Sequence, residues 1–298
     1  MRKLIRQTGP DILEKKGEAG DTETSDAIEF FSHKNKQAGK SFEYHVYAND
    51  KVKSAVSEVS SNKCAYCEIE TRAGYDGDIE HFRPKGEVTE DGGVSIKPGY
   101  YWMGAKWENL FLSCQHCNQS RKQPQVDGKI ITMGKKNQFP LTDGRKRVRV
   151  HTKDISEEEP YRLLIDPCIE NPLDYLDFSE DGIVSARIYK DGTADLKGQA
   201  SIYVFALQRK LLKEAREKRA IIVMNALKTY EDNVRELNKY INVFPEEAIE
   251  EKKQNLSAEI QRLKAFVKKD QPFSAMAYCL IKKFLSKMNI DFNDADIM

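Results

Sequence analysis

Four of the six cysteines lie in two pairs with the same spacing, Cys64 with Cys67 and Cys114 with Cys117. A spacer of two residues lets both thiolates of one turn reach the same ion at about 2.3 Å, and two such pairs supply the four ligands of a tetrahedral zinc site. The alternatives are disulfides, which a reducing compartment disfavours, and a redox dithiol, which needs a single pair at the start of a helix. We therefore predict a structural zinc ion bound by all four thiolates.

Polar residues lie between and just after the two pairs. The intervening 46 residues exceed the roughly 15 to 20 of a simple zinc ribbon. They include Glu80 and His81, in an alternating run that predicts a short strand ended by a proline, and Asn109, ahead of a second predicted strand. A helix is expected to begin at Asn118 and to continue over 118–122.

These residue types are the ones that phosphodiester hydrolysis requires, namely a base, a cation and a fixed geometry between them. His81 is the expected base, because an imidazole with a pKa near 6.5 is mostly neutral yet easily protonated in the cell. We expect the Asn109 carbonyl to accept the Nδ1–H of His81, which would aim Nε2 at water. Glu80 and Asn118 carry oxygen donors suited to Mg²⁺ or Mn²⁺, so the zinc ion would serve only to hold the strands and the helix together.

Several runs of sequence resemble a known family. They are CAYCE, DIEHFRPK and YYWMGAKWENLFLSCQHCN, then FPLTD and LLIDPCIENPLDYLDF, within about residues 60 to 185. They resemble the HNH endonuclease subunit of Septu-type and retron-associated anti-phage systems, a branch of the HNH, or ββα-metal, superfamily. The resemblance implies that His81 is the general base, that Asn109 orients it and that Glu80 and Asn118 bind the catalytic metal, with the four cysteines on zinc.

The sequence departs from the family pattern at two positions. Asn118 stands where the motif has its last histidine, and Glu80 stands where many relatives have aspartate, so Asp78 is an alternative metal ligand. The stretch 123–138 resembles an insertion, and His116, inside the second cysteine pair, is left without a role. The resemblance alone further implies a hetero-oligomeric complex with an ABC-type ATPase. This chain has no phosphate-binding GxxxxGK[ST] loop of its own.

Charge is clustered although the total is balanced, with 48 Lys and Arg against 47 Asp and Glu. Residues 114–153 carry ten basic side chains and two acidic ones, whereas residues 154–182 carry ten acidic and one basic. We expect the basic block to bind nucleic-acid phosphates and the acidic stretch or the helices to dock the ATPase. The residues expected to contact phosphates nearest the cut are Arg83, Lys85, Arg121 and Lys122.

The remaining sequence predicts the elements around this site. Apolar residues recur at helical spacing from Leu227 to Ile241 and from Leu256 to Val267, and 273–288 is a third apolar segment, which indicates a helical hairpin and a closing helix. The predicted fold is α+β, a zinc-stapled ββα-metal module followed by a mainly helical part. The expected divisions are an N-terminal helical extension (1–60), the nuclease module (61–153), an acidic connection (154–197) and a helical domain (198–298).

Composition excludes some classes of protein. The 298 residues have 40% hydrophobic side chains and a mean hydropathy of −0.65, and no run approaches the roughly 18 to 20 apolar residues of a membrane span. Without a secretion signal, the expected compartment is the cytoplasm. The sequence thus predicts a metal-dependent endonuclease acting on DNA. The alternatives are a nuclease for RNA or tRNA and a zinc-dependent nucleic-acid-binding or scaffold subunit without activity.

Overall fold

The computed structural model describes residues 1–32, 41–72, 76–90, 93–243 and 245–290, together with residue 292. Helices α1 to α8 cover Asp11–Glu14, Ala19–Ser32, Asp50–Val59, Gln115–Asn118, Leu196–Val204, Lys210–Tyr240, Glu246–Phe266 and Ser274–Lys287. Strands β1 to β8 cover Asp78–His81, Val88–Thr89, Ser95–Ile96, Leu110–Ser113, Arg121–Pro124, Ile130–Met133, Leu176–Phe178 and Val184–Ala186. The described residues therefore combine helices with short strands, which confirms the α+β class.

The described strands form antiparallel pairs, and the pair β1–β4 holds the predicted site residues. Asp78 lies opposite Ser113 and His81 lies opposite Leu110. All four residues of β4 are buried, and Asn109 immediately precedes the strand. The predicted strand at His81 and the predicted strand before the second cysteine pair are both confirmed.

The predicted helix over 118–122 is wrong. Helix α4 is a single turn that ends at Asn118, and Gln119 is already extended, with ψ of 145°. The backbone carbonyls of Cys117 and Asn118 accept hydrogen bonds from the backbone N–H groups of Lys135 and Lys136, at 2.8 and 2.6 Å. In a longer helix these carbonyls would accept from N–H groups of the next turn. The segment at Lys135 and Lys136 takes their place, so the helix ends at Asn118. The stretch 123–138 supplies most of the β5–β6 hairpin that brings it back.

The C-terminal helices pack as predicted. Helix α6 packs against both α7 and α8, and Pro245 precedes the first residue of α7. The apolar stripe on α6 is buried at Leu227 and Tyr230, but the helix ends at Tyr240 and Ile241 is 43% exposed. The predicted hairpin and closing helix are confirmed. Among the described residues, no helix is both long and apolar enough to cross a bilayer.

One cluster of buried side chains joins the cysteine pairs to the C-terminal helices. The Tyr66 ring, between Cys64 and Cys67, stacks on the Phe205 ring at the end of α5, with centroids 3.8 Å apart. The acidic stretch packs onto this core, since Glu158 lies in a 3₁₀ helix over Ile155–Tyr161 and is fully buried. The divisions expected at 60, 153 and 197 stay predictions.

Candidate active site and metal centre

The four paired cysteines meet in the core. Their Sγ atoms all lie within 4.8 Å of one another, and all four residues are buried. The Sγ atoms of Cys67 and Cys114 are 3.7 Å apart, close to the roughly 3.8 Å between sulfurs that bind one zinc ion tetrahedrally at about 2.3 Å. Cys114 caps the N-terminus of α4 and Cys117 lies within it, so the second pair fixes this turn to the end of β4. The cluster can therefore hold a metal ion such as zinc.

Arg209, which sequence reasoning missed, lies against this cluster. Its guanidinium donates to the sulfurs of Cys67, Cys114 and Cys117 at 3.4, 3.7 and 3.6 Å, and the residue is 5% exposed. Burial alone would raise the pKa of the Cys67 thiol, but hydrogen bonds from the other thiols and the charge of Arg209 lower that pKa well below its ordinary value. Burial and the neighbouring thiols instead raise the pKa of Cys117, so four thiolates would coexist only around a bound cation, and Arg209 would then balance part of their remaining negative charge. Its sequence position, 92 residues after Cys117, gave no signal of this contact.

His81 is fixed at the end of β1 with one ring nitrogen bonded and the other near a cation. Nε2 lies 2.9 Å from the carbonyl oxygen of Gly104, and Nδ1 lies 3.3 Å from Nζ of Lys85. A carbonyl only accepts, so Nε2 carries the proton and Nδ1 is the basic nitrogen. Burial first, and then the charge of Lys85, lower the pKa of His81 well below its ordinary value. His81 is therefore a neutral base whose lone pair is on Nδ1, the reverse of the orientation expected from sequence, and this nitrogen accepts a hydrogen bond from the Lys85 ammonium.

The expected contact between Asn109 and the His81 ring is replaced by backbone contacts. The Asn109 carbonyl accepts from the N–H of Arg83 at 2.7 Å, and its amide donates to the carbonyls of Arg83 and Met103 at 3.0 Å. Asn109 is 1% exposed. Asn109 therefore joins the backbone after β1 to the segment that carries Gly104. Because the Gly104 carbonyl binds the His81 ring, Asn109 helps to position that ring indirectly.

Glu80 is buried in a network of its own. Its Oε2 accepts from the Tyr66 hydroxyl at 2.5 Å, and its Oε1 lies 2.6 Å from Nζ of Lys135. Lys135 also donates to the backbone carbonyl of His81 at 2.9 Å. The charge of Glu80 is therefore already matched by an ammonium group. Lys135 was counted only as one member of the basic block.

Asn118 and Asp78 approach each other at the open side of β1. The Asn118 amide nitrogen lies 3.2 Å from Oδ2 of Asp78, and Gln119 donates to the same oxygen at 3.1 Å. Oxygen donors of this kind fit a hard divalent cation, which usually takes one or two protein carboxylates and keeps several waters. Asp78 and Asn118 fit such an ion better than Glu80 does, because Glu80 would have to give up Lys135.

A cleft of about 740 Å³ opens beside these residues. Glu80, His81, Lys85 and Asn118 are among the residues that line it. The Lys85 ammonium lies 4.2 Å from the centre of the Tyr47 ring, and burial lowers the pKa of Lys85 to about 8. Glu80, His81 and Asn118 thus share one cleft with the Lys85 ammonium, whose predicted contact with phosphate stays a prediction.

The other expected phosphate contacts divide into two groups. Arg83 is 5% exposed and pairs with Glu158 at 2.9 Å and with Glu159, so it would have to leave these pairs to meet a phosphate, and its predicted contact stays a prediction. Two glutamates of the acidic stretch thus bind the Arg83 guanidinium inside the core. Arg121 and Lys122 on β5 are exposed, which leaves them accessible to a nucleic acid.

Comparisons with known proteins agree with the resemblance seen in the sequence. Septu protein PtuB of Bacillus mycoides (strain KBAB4) is 35% identical over 178 residues, which are 59% of this chain and 53% of that protein. Septu protein PtuB of Bacillus thuringiensis is 30% identical over 95 residues, 29% of this chain and 32% of that protein. Septu protein PtuA of Bacillus mycoides (strain KBAB4) is 27% identical over 157 residues, 52% of this chain and 19% of that protein.

The chain spans about half the length of the first of these proteins and less of the other two. No protein-family model matches the chain. The similarity to two PtuB proteins is nevertheless the one that the cysteine pairs and the residues around His81 predict. The chain is a relative of Septu protein PtuB.

Proposed function

We propose that the chain is a metal-dependent HNH endonuclease and an effector of a Septu anti-phage defence system. The observation that carries this proposal is the setting of His81. The ring is held by the Gly104 carbonyl on Nε2, its Nδ1 is basic, and it lines a large cleft together with Lys85 and Asn118. A neutral, oriented imidazole beside a fixed cation is what the attack of water on a phosphodiester requires.

In this proposal the attacking water displaces the Lys85 N–H from Nδ1 of His81, and Nδ1 removes a proton from that water as its oxygen bonds to phosphorus and the bond to the leaving oxygen breaks. The Gly104 carbonyl stabilises the imidazolium that results, because it accepts the Nε2–H throughout. The charge of the Lys85 ammonium, 3.3 Å from Nδ1, disfavours the imidazolium, so His81 then gives that proton to solvent water, and the same ammonium attracts a phosphate oxygen. A bound Mg²⁺ or Mn²⁺ would neutralise the charge that develops on the phosphate. Asp78 and Asn118 would hold this ion, and Glu80 would join them only by releasing Lys135.

The proposed partner is an ABC-type ATPase of the PtuA kind. Similarity to both PtuB and PtuA supports a place in a Septu system. We propose that the ATPase docks on exposed helix faces or on the exposed part of the acidic stretch, within a hetero-oligomeric complex. Size-exclusion chromatography of the two co-expressed chains tests this, and two separate peaks would contradict it.

Cleavage assays test the activity directly. The ATPase-bound chain is incubated with plasmid, phage DNA and total RNA in Mg²⁺ or Mn²⁺, and we expect DNA to be cut. His81→Ala should reduce the rate by about 100-fold or more. His45→Ala is a matched control, because the His45 side chain is 79% exposed and lies outside the proposed machinery. If His81→Ala cleaves as fast as the wild type, His81 is not the catalytic base. If only RNA or tRNA is cleaved, the enzyme is a ribonuclease and the proposed DNA substrate is wrong.

One observation favours a second function. Lys135 forms a buried ion pair with Glu80, the residue before His81. Its ammonium group therefore neutralises the Glu80 carboxylate, as in a structural ion pair. A chain of this kind could serve as a zinc-dependent nucleic-acid-binding or scaffold subunit without catalysis. Such a subunit would shift DNA or RNA in a gel and would leave all three substrates intact.

A further inference from the structure

The cleft beside His81 has aromatic lining residues that the proposed reaction does not use. Phe31, Phe42 and Tyr44 line it together with His81 and Lys85. Phe31 lies at the end of α2, whereas Phe42 and Tyr44 lie on the segment before α3. All three are half-buried, so part of each side chain is accessible to solvent, and the Phe42 ring also meets the Phe30 ring edge to face at 5.5 Å.

Gly104 ties the Tyr44 ring to the base. A Cβ atom on Gly104 would lie 2.2 Å from Cε1 of Tyr44, so the ring packs directly on the glycine backbone. The carbonyl of the same glycine holds His81 Nε2, and the Tyr44 hydroxyl donates to the Tyr101 carbonyl at 2.8 Å. One backbone segment therefore fixes both an aromatic surface and the imidazole.

A second ring and a cation complete the surface. Phe42 meets Tyr44 edge to face, with centroids 4.7 Å apart. The Lys85 ammonium lies 5.5 Å from the centre of the Tyr44 ring and 3.3 Å from Nδ1 of His81. A positive charge thus stands between the aromatic rings and the base. Lys136, which is exposed, lines the same cleft.

We propose that Phe42 and Tyr44 form a stacking site for an unpaired base of the substrate, with the neighbouring phosphate at Lys85 and His81. Aromatic side chains bind single strands by stacking on any base, since every base has a π-face. This inference rests on the proposed function, because the phosphate is placed at the proposed catalytic base. It names the substrate class as single-stranded or locally unpaired nucleic acid, DNA or RNA.

The geometry favours an unpaired base over intact duplex. A base inside a duplex is already stacked, and its faces are inaccessible unless the nucleotide is extruded. A duplex would instead need a projecting element, and α4 has only four residues, about 6 Å of helix, against a major groove about 12 Å wide. The concave, aromatic side of the site therefore fits a strand that enters the cleft.

Binding measurements on the whole chain carrying His81→Ala test this without cleavage. The probes are short oligonucleotides of one sequence, as single-stranded DNA, single-stranded RNA and duplex DNA, each with one 2-aminopurine. We expect single strands to bind at least tenfold more tightly than duplex and to lose 2-aminopurine fluorescence through stacking. Phe42→Leu and Tyr44→Leu should each weaken single-strand binding about tenfold and restore the fluorescence. Tyr203→Leu is the control, since Tyr203 is 57% exposed on α5.

The comparison of single-stranded with duplex probes uses neither Phe42→Leu nor Tyr44→Leu. It therefore remains valid even if one of these variants folds poorly. Lys136→Gln adds a surface test, because losing one phosphate contact should lower the salt slope of single-strand binding by about 0.7 without restoring the fluorescence. Duplex binding equal to single-strand binding, with no loss of fluorescence, would overturn the stacking site. That result would leave cleavage by the wild type untouched, whereas loss of fluorescence without any cleavage would overturn only the proposed nuclease activity.

Discussion

Nζ of Lys135 lies 2.6 Å from Oε1 of Glu80, and neither side chain is more than 2% exposed. Buried ion pairs gain little over apolar replacements of similar size, but removing one partner leaves an uncompensated charge in the core. Lys135 also donates to the His81 carbonyl, so the pair supports the strand end that carries the base. The pair is therefore a positioning device whose loss should be visible in stability before it is visible in activity.

Lys135→Met should lower the free energy of unfolding of the zinc-loaded chain by about 3 to 5 kcal/mol. The variant leaves the Glu80 carboxylate buried with the Tyr66 hydroxyl as its remaining hydrogen-bond donor. Combining Lys135→Met with Glu80→Gln should recover most of this loss, because a neutral amide needs no counter-charge. Urea unfolding of the two single variants and the double variant measures the coupling.

The control for this cycle is an exposed pair. Arg235 and Glu231 form an ion pair on α6, with the Arg235 side chain 72% exposed. Arg235→Met should change the unfolding free energy by less than about 0.5 kcal/mol. A Lys135→Met variant as stable as Arg235→Met would show that Glu80 is not held as a buried carboxylate.

Each purified chain should contain one zinc ion, and Cys64→Ser should lose it and unfold at a lower temperature. Within the described part of the chain, the four sulfurs are the side-chain ligands available to such a site, so losing one leaves the zinc ion with three ligands. Cys168→Ser should keep the ion, because Cys168 lies outside the cluster. Elemental analysis gives the zinc content and thermal melting gives the stability. Full zinc content in the Cys64 variant would contradict the four-thiolate site.

Arg209→Gln should weaken zinc binding about 10-fold to 100-fold, because the guanidinium donates to three of the thiolates. Competition with a chromophoric chelator measures the affinity. Lys210→Gln, one residue further on and exposed, removes the same charge without touching the sulfurs and should leave the affinity unchanged. Equal losses in both variants would mean that Arg209 acts only through long-range charge.

The parts of the site that sequence predicted are those set by local spacing. A two-residue spacer fixes two thiolates on one turn, and alternation around His81 fixes a strand. Lys135 shows why the rest was missed. It and Lys136 are adjacent lysines, yet Lys135 is fully buried and Lys136 is exposed. The difference depends on Gly134, whose φ of +126° lets the chain pass close to the Gln119 carbonyl and turn Lys135 inward toward β1.

Arg83 and Lys85 also show that sequence spacing does not predict which basic side chain becomes buried. Both follow His81 by a few residues and were expected to contact phosphates. Arg83 is instead drawn into the core by Glu158, 75 residues further along the chain. Lys85 stays beside His81, four residues away. Long-range pairing decides which cation is available, and residue type and spacing carry no information about it.

Asn109→Ala should reduce the cleavage rate at least tenfold and lower the melting temperature. The variant removes three hydrogen bonds that join the backbone of Arg83 and Met103, and the latter lies next to Gly104. A merely structural loss would leave the pH dependence unchanged, whereas a shifted Gly104 carbonyl should lower the pKa of His81, because that carbonyl stabilises the protonated ring, and should move the acidic limb of the pH profile to lower pH. Asn109→Asp keeps the carbonyl contact and loses the donated bonds, so its rate should lie between those of the wild type and the alanine variant.

Cleavage should be insensitive to pH near neutrality and should fall as the pH rises through about 8. The acidic side is flat because burial and Lys85 keep His81 neutral well below its ordinary pKa. The alkaline fall follows from Lys85, whose pKa burial lowers to about 8, since the amine loses its charge and its attraction for phosphate above that value. Lys85→Arg keeps a charge at every pH used, so its profile should lack the alkaline fall even if its rate at pH 7 is lower. A wild type and an arginine variant that decline together above pH 8 would assign the alkaline fall to a group other than Lys85.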